Sequence, residues 1–214
     1  MVQVMKAQCR LACRRSIQSA MVASDLSHTE ASFAGLRLTA TQFFELGETR
    51  QRYELINGVT VLAPSPQPRH QLVLDELQFQ LGTARRRGVS IRVLPDSDVR
   101  FSESEVYCPD VSVYLASRLP TIPKRLEIPP DLVIEILSPS SRSMDLVTKR
   151  DDYMRFGVRE YWIVDIAGRC VTAWELAADG AIISHEIKHG SLASSAVGGL
   201  VLDVDAVMAV CELA

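Results

Sequence analysis

Two acidic residues lie within or beside strongly apolar segments, where a carboxylate is costly. Glu135 is in the middle of Leu132–Leu137, an apolar run that predicts a strand buried on both faces, and Asp110 follows Pro109 at the start of an alternating segment. An unpaired buried carboxylate would neutralise unless a cation compensates it. Carboxylates on two neighbouring strands can hold one hard divalent cation, which lowers the pKa of a bound water and stabilises charge on a phosphate oxygen. Asp110 and Glu135 are therefore candidate ligands of a magnesium or manganese ion.

Three other side chains are candidate members of the same site. Lys149 shares a helical stripe with Leu146 and Tyr153, so its amine is predicted to face inward, where it could orient a water or neutralise a phosphate. Glu54 lies in the first strand of a predicted hairpin. His70 lies on the apolar stripe of the next helix, near its start. Glu54 could assist the metal, and His70 could contact a phosphate or support the metal site.

Each candidate also has a purely structural interpretation. Glu135 could be a buried acid paired with an arginine or with Lys149, and Asp110 could be a strand-entry residue after proline. The stem of Lys149 could lie on apolar surface while its amine reaches water. Glu54 could belong to the polar face of an alternating strand, and His70 could cap or pack at its helix start.

The elements that would position these residues are readable from local signals. Thr39 with Gln42 forms a capping box that predicts a short helix to Leu46, and Asn57-Gly58 predicts a tight hairpin. Leucines at helical spacing predict a helix over Arg69–Arg87. Further predictions are a hydroxyl-rich turn at 138–143, a helix from there to Phe156, a strand at Tyr161–Asp165, a hairpin of 169–176 with 181–187, and a short helix at 202–210.

Composition narrows the class of protein. The chain has 214 residues, a formal charge of −3 and five cysteines without zinc-type spacing. These values predict an ordinary cytoplasmic domain, and no apolar stretch is long enough to cross a bilayer. Residues 1–35, which begin with a basic, acid-free segment, are predicted to be a disordered N-terminal extension, and residues 36–214 a single domain.

Several short motifs resemble, in order and spacing, the Uma2 family of restriction endonucleases over about residues 36–205. The motifs are Tyr53-Glu54-Leu55, Pro109-Asp110-Val111, the segment from Asp131 through Glu135 to Ser140, Lys149 with Tyr153, and Glu160–Asp165.

The resemblance implies a metal-dependent nuclease of the PD-(D/E)-X-K superfamily that acts on DNA as a homodimer. It implies an α/β (α+β mixed) fold: a restriction-endonuclease-like core in which helices flank a central mixed sheet of four or so strands, here with an N-terminal β-hairpin. Asp110 matches the first acid of the superfamily motif and Glu135 the second, and Glu54 resembles the extra upstream acid. Leu137 stands where the superfamily has a lysine, and Lys149 is the implied replacement.

Because Leu137 replaces the superfamily's lysine, a second function without catalysis stays open. A protein of this fold without turnover would act as a binding or assembly module. Paired acids could also serve glycoside hydrolysis, but no aromatic-lined sugar groove is indicated by the sequence.

Overall fold

The computed structural model describes residues 32–47, 49–138 and 144–212. Two predicted segments fall mostly outside the described residues: residues 1–31 of the N-terminal extension predicted at 1–35, and residues 139–143 of the turn predicted at 138–143. The chain is hydrogen-bonded to the hairpin from Phe33 onward: the Phe33 amide donates to the Tyr53 hydroxyl (3.3 Å) and the Gly35 amide to the Thr60 carbonyl (2.8 Å). From Phe33 on, the described chain forms one compact unit.

Two sheets and a small ribbon make up the β-structure. The strands are β1 Tyr53–Ile56, β2 Val59–Leu62, β3 Ile91–Pro95, β4 Val99–Arg100, β5 Val106–Tyr107, β6 Val111–Leu115, β7 Leu132–Ile136, β8 Glu160–Asp165, β9 Cys170–Leu176, β10 Ile182–Ile187, β11 Ser191–Ala193 and β12 Val201–Asp203. The large sheet has six strands in the order β10-β9-β8-β7-β6-β3, the small sheet has the order β2-β1-β5-β4, and β11 pairs with β12. Only β7 and β8 run parallel in the large sheet, so the predicted mixed sheet is confirmed, with six strands instead of four.

Helices pack on both faces of the large sheet, and the first helix of the chain packs on the small sheet. They are α1 Ala40–Glu45, α2 Pro68–Arg86, a π-helix Met144–Lys149, α3 Arg150–Arg155, α4 Val204–Ala209 and a 3₁₀ turn Val210–Glu212. Among the described residues, no helix combines the length and the apolar character that a bilayer crossing requires.

Local chemistry explains the elements nearest the candidate site. The predicted capping box of Thr39 and Gln42 starts α1, and Asn57 and Gly58 adopt positive φ (50° and 72°) in the turn between β1 and β2. Pro68 occupies the first turn of α2, where its missing N–H costs nothing. The predicted capping box and hairpin are confirmed, and the predicted helix over Arg69–Arg87 begins one residue earlier, at Pro68.

Strand β7 separates two apolar clusters. Its even-numbered residues, such as Ile134, pack with α2, whereas Val133 packs with Tyr153 and Met154 of α3. The strand is therefore buried on both faces, as its unbroken apolar run predicts, and Glu135 lies on the face covered by α3.

The predicted helix up to Phe156 differs from the prediction in its first turns. Met144–Lys149 forms a π-helix, and α-helical geometry begins only at Arg150. The wider π turn is a common feature of functional sites. The C-terminal prediction also shifts, because 201–203 pairs as a strand and Asp203 caps α4 by accepting from the Ala206 amide (3.0 Å).

Candidate active site

The antiparallel pairing of β6 and β7 brings the two candidate acids together. Val111 pairs with Ile134, so the next step of this register sets Asp110 opposite Glu135 on one face. Glu135 Oε2 accepts from the Asp110 amide (3.3 Å), and Asp110 Oδ2 accepts from the Ile136 amide (2.7 Å). Each carboxylate is thus held by the backbone of the strand beside it.

The Lys149 amine lies at the centre of the cluster. Its Nζ is 3.0 Å from Glu54 Oε1, 3.1 Å from Glu135 Oε1 and 3.6 Å from Asp145 Oδ1. The π-helix ends at Lys149, while Glu54 comes from β1 in the small sheet. Three separate elements therefore meet at one ammonium group.

Asp145 and Tyr153 are members of the cluster that the sequence analysis did not single out as site residues. Asp145 is buried beside Lys149, and the Tyr153 hydroxyl donates to Glu135 Oε1 (2.8 Å). The spacing of Asp145 four residues before Lys149 was an available signal, since such pairs are neighbours on a helix. The Tyr153 bond had no sequence signal beyond the shared stripe.

His70 reaches the cluster from the first turn of α2. Its Nε2 is 3.0 Å from Asp110 Oδ2, while its buried Nδ1 has no hydrogen-bond partner among the described residues. Glu54 is held from the other side, because its Oε1 accepts from the Cys108 amide (3.1 Å). All five residues predicted from sequence (Glu54, His70, Asp110, Glu135 and Lys149) are therefore brought into one place.

Negative charge exceeds positive charge in this buried cluster. Burial raises the pKa of Glu135 well above its usual value; Asp110, Asp145 and Glu54 add to the rise, and Lys149 opposes it. Burial by itself would lower the pKa of Lys149, but Glu135, Glu54 and Asp145 outweigh burial and raise it. Both shifts follow from one amine shared among several acids: the lysine stays charged, and the acids remain incompletely compensated.

Asp110 differs from Glu135 in its electrostatics. Burial acts to raise its pKa, but the bonds from His70 and the Ile136 amide, with the charge of Lys149, bring the pKa below its usual value. Asp110 is thus the acid of the pair that ionises more readily.

The cluster forms the floor of a cavity of about 400 Å³. Carboxylates and the Lys149 amine line one side, and Arg52, Gln67 and Arg69 lie on its walls. A cavity of this size can admit a phosphate group with part of its sugar.

The donor set is compatible with a hard divalent cation. Asp110 Oδ1 and Glu54 Oε2 accept no hydrogen bond from any residue in the described ranges, and Glu135 Oε2 has only the 3.3 Å contact. The same part of the chain contains no group of three or more His, Cys, Asp and Glu side chains arranged to hold a metal ion. A site built on Asp110 and Glu135 would therefore complete its shell with water, as magnesium sites commonly do.

A solved structure shares this architecture. A protein from Anabaena variabilis ATCC 29413, described as "a putative nuclease belonging to DUF820", has a TM-score of 0.71 and 21% sequence identity, with 81% of this chain and 99% of that chain covered. The likeness defines the class: an α/β protein with the fold of that described nuclease.

The sequence model of the Uma2 family, described as "Putative restriction endonuclease", matches residues 40–205. The chain belongs to the Uma2 family, which confirms the resemblance seen in its motifs. No curated protein sequence matches the chain.

Proposed function

We propose that this protein is a metal-dependent endonuclease that hydrolyses phosphodiester bonds in DNA, with Mg²⁺ or Mn²⁺ held by Asp110 and Glu135. One observation carries the proposal: the Lys149 amine, on the π-helix, lies 3.1 Å from Glu135 of β7, which faces Asp110 immediately before β6. Two acids and a cation in one cavity are the groups that phosphodiester hydrolysis requires. The family description supports the same class of activity.

Each residue would have a separate task. A divalent ion, when bound, would activate a water and stabilise negative charge on the phosphate. Lys149 would orient the attacking water or neutralise charge that develops in the transition state. Glu54 would hold the Lys149 amine in position and assist the metal directly or through water.

His70 would position Asp110 and contact substrate. Its Nε2 bonds Asp110 Oδ2, which fixes that carboxylate, and His70 also lines the cavity in which the substrate phosphate would lie. The adjacent first turn of α2 adds the positive end of a helix dipole to the same wall.

A nuclease-fold binding module without turnover is the second candidate. Leu137 favours it, because the position two residues after Glu135 is occupied by a buried apolar side chain. The Lys149 amine can take the place of the missing lysine, because it reaches the Glu135 carboxylate from the next helix.

A plasmid-nicking assay tests the proposal. Pure protein with Mg²⁺ or Mn²⁺ should convert supercoiled plasmid to nicked or linear forms, and Asp110→Asn should abolish the conversion. The matched control is Asp75→Asn, an exposed acid on α2, which should leave nicking unchanged. Nicking that persists in Asp110→Asn would point to a contaminating nuclease and overturn the proposal.

Titration calorimetry with divalent metal, read together with the nicking assay, separates the nuclease from the binding module. Metal binding with nicking supports the enzyme, whereas DNA binding without nicking under any divalent metal supports the binding module. RNA of the same sequence, tested in parallel, decides whether DNA is the preferred substrate.

We also propose that the protein works as a cytoplasmic homodimer. The resemblance to restriction-type nucleases implies the dimer, and the Cys108 thiol, which forms no disulfide with a described residue, suits a reducing compartment. Light scattering on the purified chain should give twice the mass of 23.7 kDa, and a monomer at all concentrations would contradict the proposal.

A further inference from the structure

A second, larger cavity lies beside the candidate active site. Its volume is about 890 Å³, and it shares two wall residues, Arg52 and Cys108, with the first cavity. Arg52 precedes Glu54 by two residues along the same segment, so the two side chains are about 6 to 7 Å apart on one face. A linear polymer bound at the first cavity would therefore pass Arg52 and reach the second.

The rim of this second cavity carries cations that no described acid neutralises. Lys124 and Arg125 line it, and neither forms an ion pair with a carboxylate in the part of the chain that the structure describes. The Arg125 guanidinium carbon lies over the Phe44 ring, 4.8 Å from its centroid, and Arg125 is exposed. A stacked guanidinium of this kind is a platform for a nucleobase.

The same cavity is also lined by two exposed hydrogen-bond acceptors, Asp96 and Asp98. Asp96 pairs with Arg52 (3.0 Å), and Asp98 lies beside Cys108, so both carboxylates are next to the wall that the cavities share. Carboxylates accept hydrogen bonds from the exocyclic amino groups of bases. One cavity thus offers cations that can bind a phosphate and acids that can accept from a base amino group, which are the groups that one unpaired nucleotide requires.

We propose that the second cavity binds the nucleotide that flanks the cleaved bond, stacking its base on Arg125 and reading its amino group through Asp98. The inference rests on the proposed nuclease function, because that function places a nucleic-acid strand in the first cavity. Cytosine has an amino group where thymine has a carbonyl oxygen and a methyl group nearby, so the site prefers cytosine to thymine.

Fluorescence polarisation with labelled (dC)₈ and (dT)₈ tests the proposal on the full wild-type chain in a chelator, where cleavage cannot occur. We expect (dC)₈ to bind about tenfold or more tightly than (dT)₈, the effect of one hydrogen bond to a charged group. Asp98→Asn should bring the two affinities together. Arg125→Ala should weaken both by about fivefold or more through lost stacking.

Lys188→Ala is the control for a lost surface cation. Lys188 follows β10, at the opposite edge of the large sheet from β3, whose Leu94 lines the cavity. Equal affinities for (dC)₈ and (dT)₈, no binding of either, or an Arg125→Ala effect no larger than that of Lys188→Ala would each overturn the inference.

The outcomes of this test and of the nicking assay are independent. Nicking that requires Asp110 together with equal (dC)₈ and (dT)₈ affinities would retain the nuclease and reject the base site. Discrimination between the oligonucleotides without nicking would retain the base site and reject the nuclease.

Discussion

Glu135 and Glu160 are both buried glutamates on neighbouring parallel strands, but their surroundings differ. Glu160, at the start of β8, accepts from the Trp162 indole (2.7 Å), the Ala196 amide (3.1 Å) and the Ser194 hydroxyl. All three donors are neutral and belong to the protein's own packing. Glu160 is thereby a satisfied structural acid.

Glu135 has a different set of partners. It shares the Lys149 amine with Glu54 and Asp145, faces Asp110, and borders a cavity. The comparison teaches that burial alone does not mark a functional acid. An excess of buried acids over cations, beside space for a ligand, is the more specific mark.

The largest expected effect is a difference in plasmid nicking between variants of Glu135 and Glu160. Glu135→Gln should reduce plasmid nicking by about 10²-fold or more, because it removes a carboxylate that would hold the divalent ion at the reacting phosphate. Glu160→Gln should retain nicking at temperatures where the variant is folded. Equal losses in both variants, measured on samples with matching circular dichroism, would contradict the distinction.

The next effect concerns the cations that face the buried acids. Lys149→Met should lower the free energy of unfolding by about 3 kcal/mol, because it leaves several buried acids without their shared cation. Arg118→Met should cost about 1 kcal/mol or less, since Arg118 is 36% exposed and Asp131 keeps the Leu115 amide as donor (2.8 Å). Urea unfolding of both variants measures the difference, and similar midpoints would show that the Lys149 cluster carries no charge excess.

Stabilisation of the fold by metal should depend on Glu135 and not on Glu160. Mg²⁺ or Mn²⁺ at about 100 times its dissociation constant should stabilise the wild type by about 2.7 kcal/mol. We expect Glu160→Gln to keep this increment and Glu135→Gln to lose it, as measured by thermal unfolding with and without the ion. An increment that persists in Glu135→Gln would locate the ion elsewhere.

The smallest effects come from single hydroxyl donors. Tyr153→Phe removes a bond to Glu135, and Ser194→Ala removes a bond to Glu160, so each should cost about 1 kcal/mol of stability. Calorimetry should then show a changed metal affinity for Tyr153→Phe alone. A changed metal affinity in both variants would mean that Glu160 also influences metal binding, which would contradict the distinction.

Elements with strong local signals were predictable without the structure. The capping box at Thr39, the Asn57-Gly58 turn and the leucine stripe of α2 act within a few residues, so their sequence pattern specifies them. The apolar run around Glu135 likewise identified β7, because only a strand buried on both faces lacks a polar alternation.

Only the tertiary structure decided how the acids of the site share one cation. Glu54 and Lys149 are far apart along the chain, and their 3.0 Å contact depends on how the small sheet packs against the π-helix. The π turn that aligns Asp145 with Lys149, and the neutral donors around Glu160, had no distinct sequence pattern. Local residue patterns determine elements, whereas the balance of charge in a buried cluster depends on distances that only the packed strands and helices set.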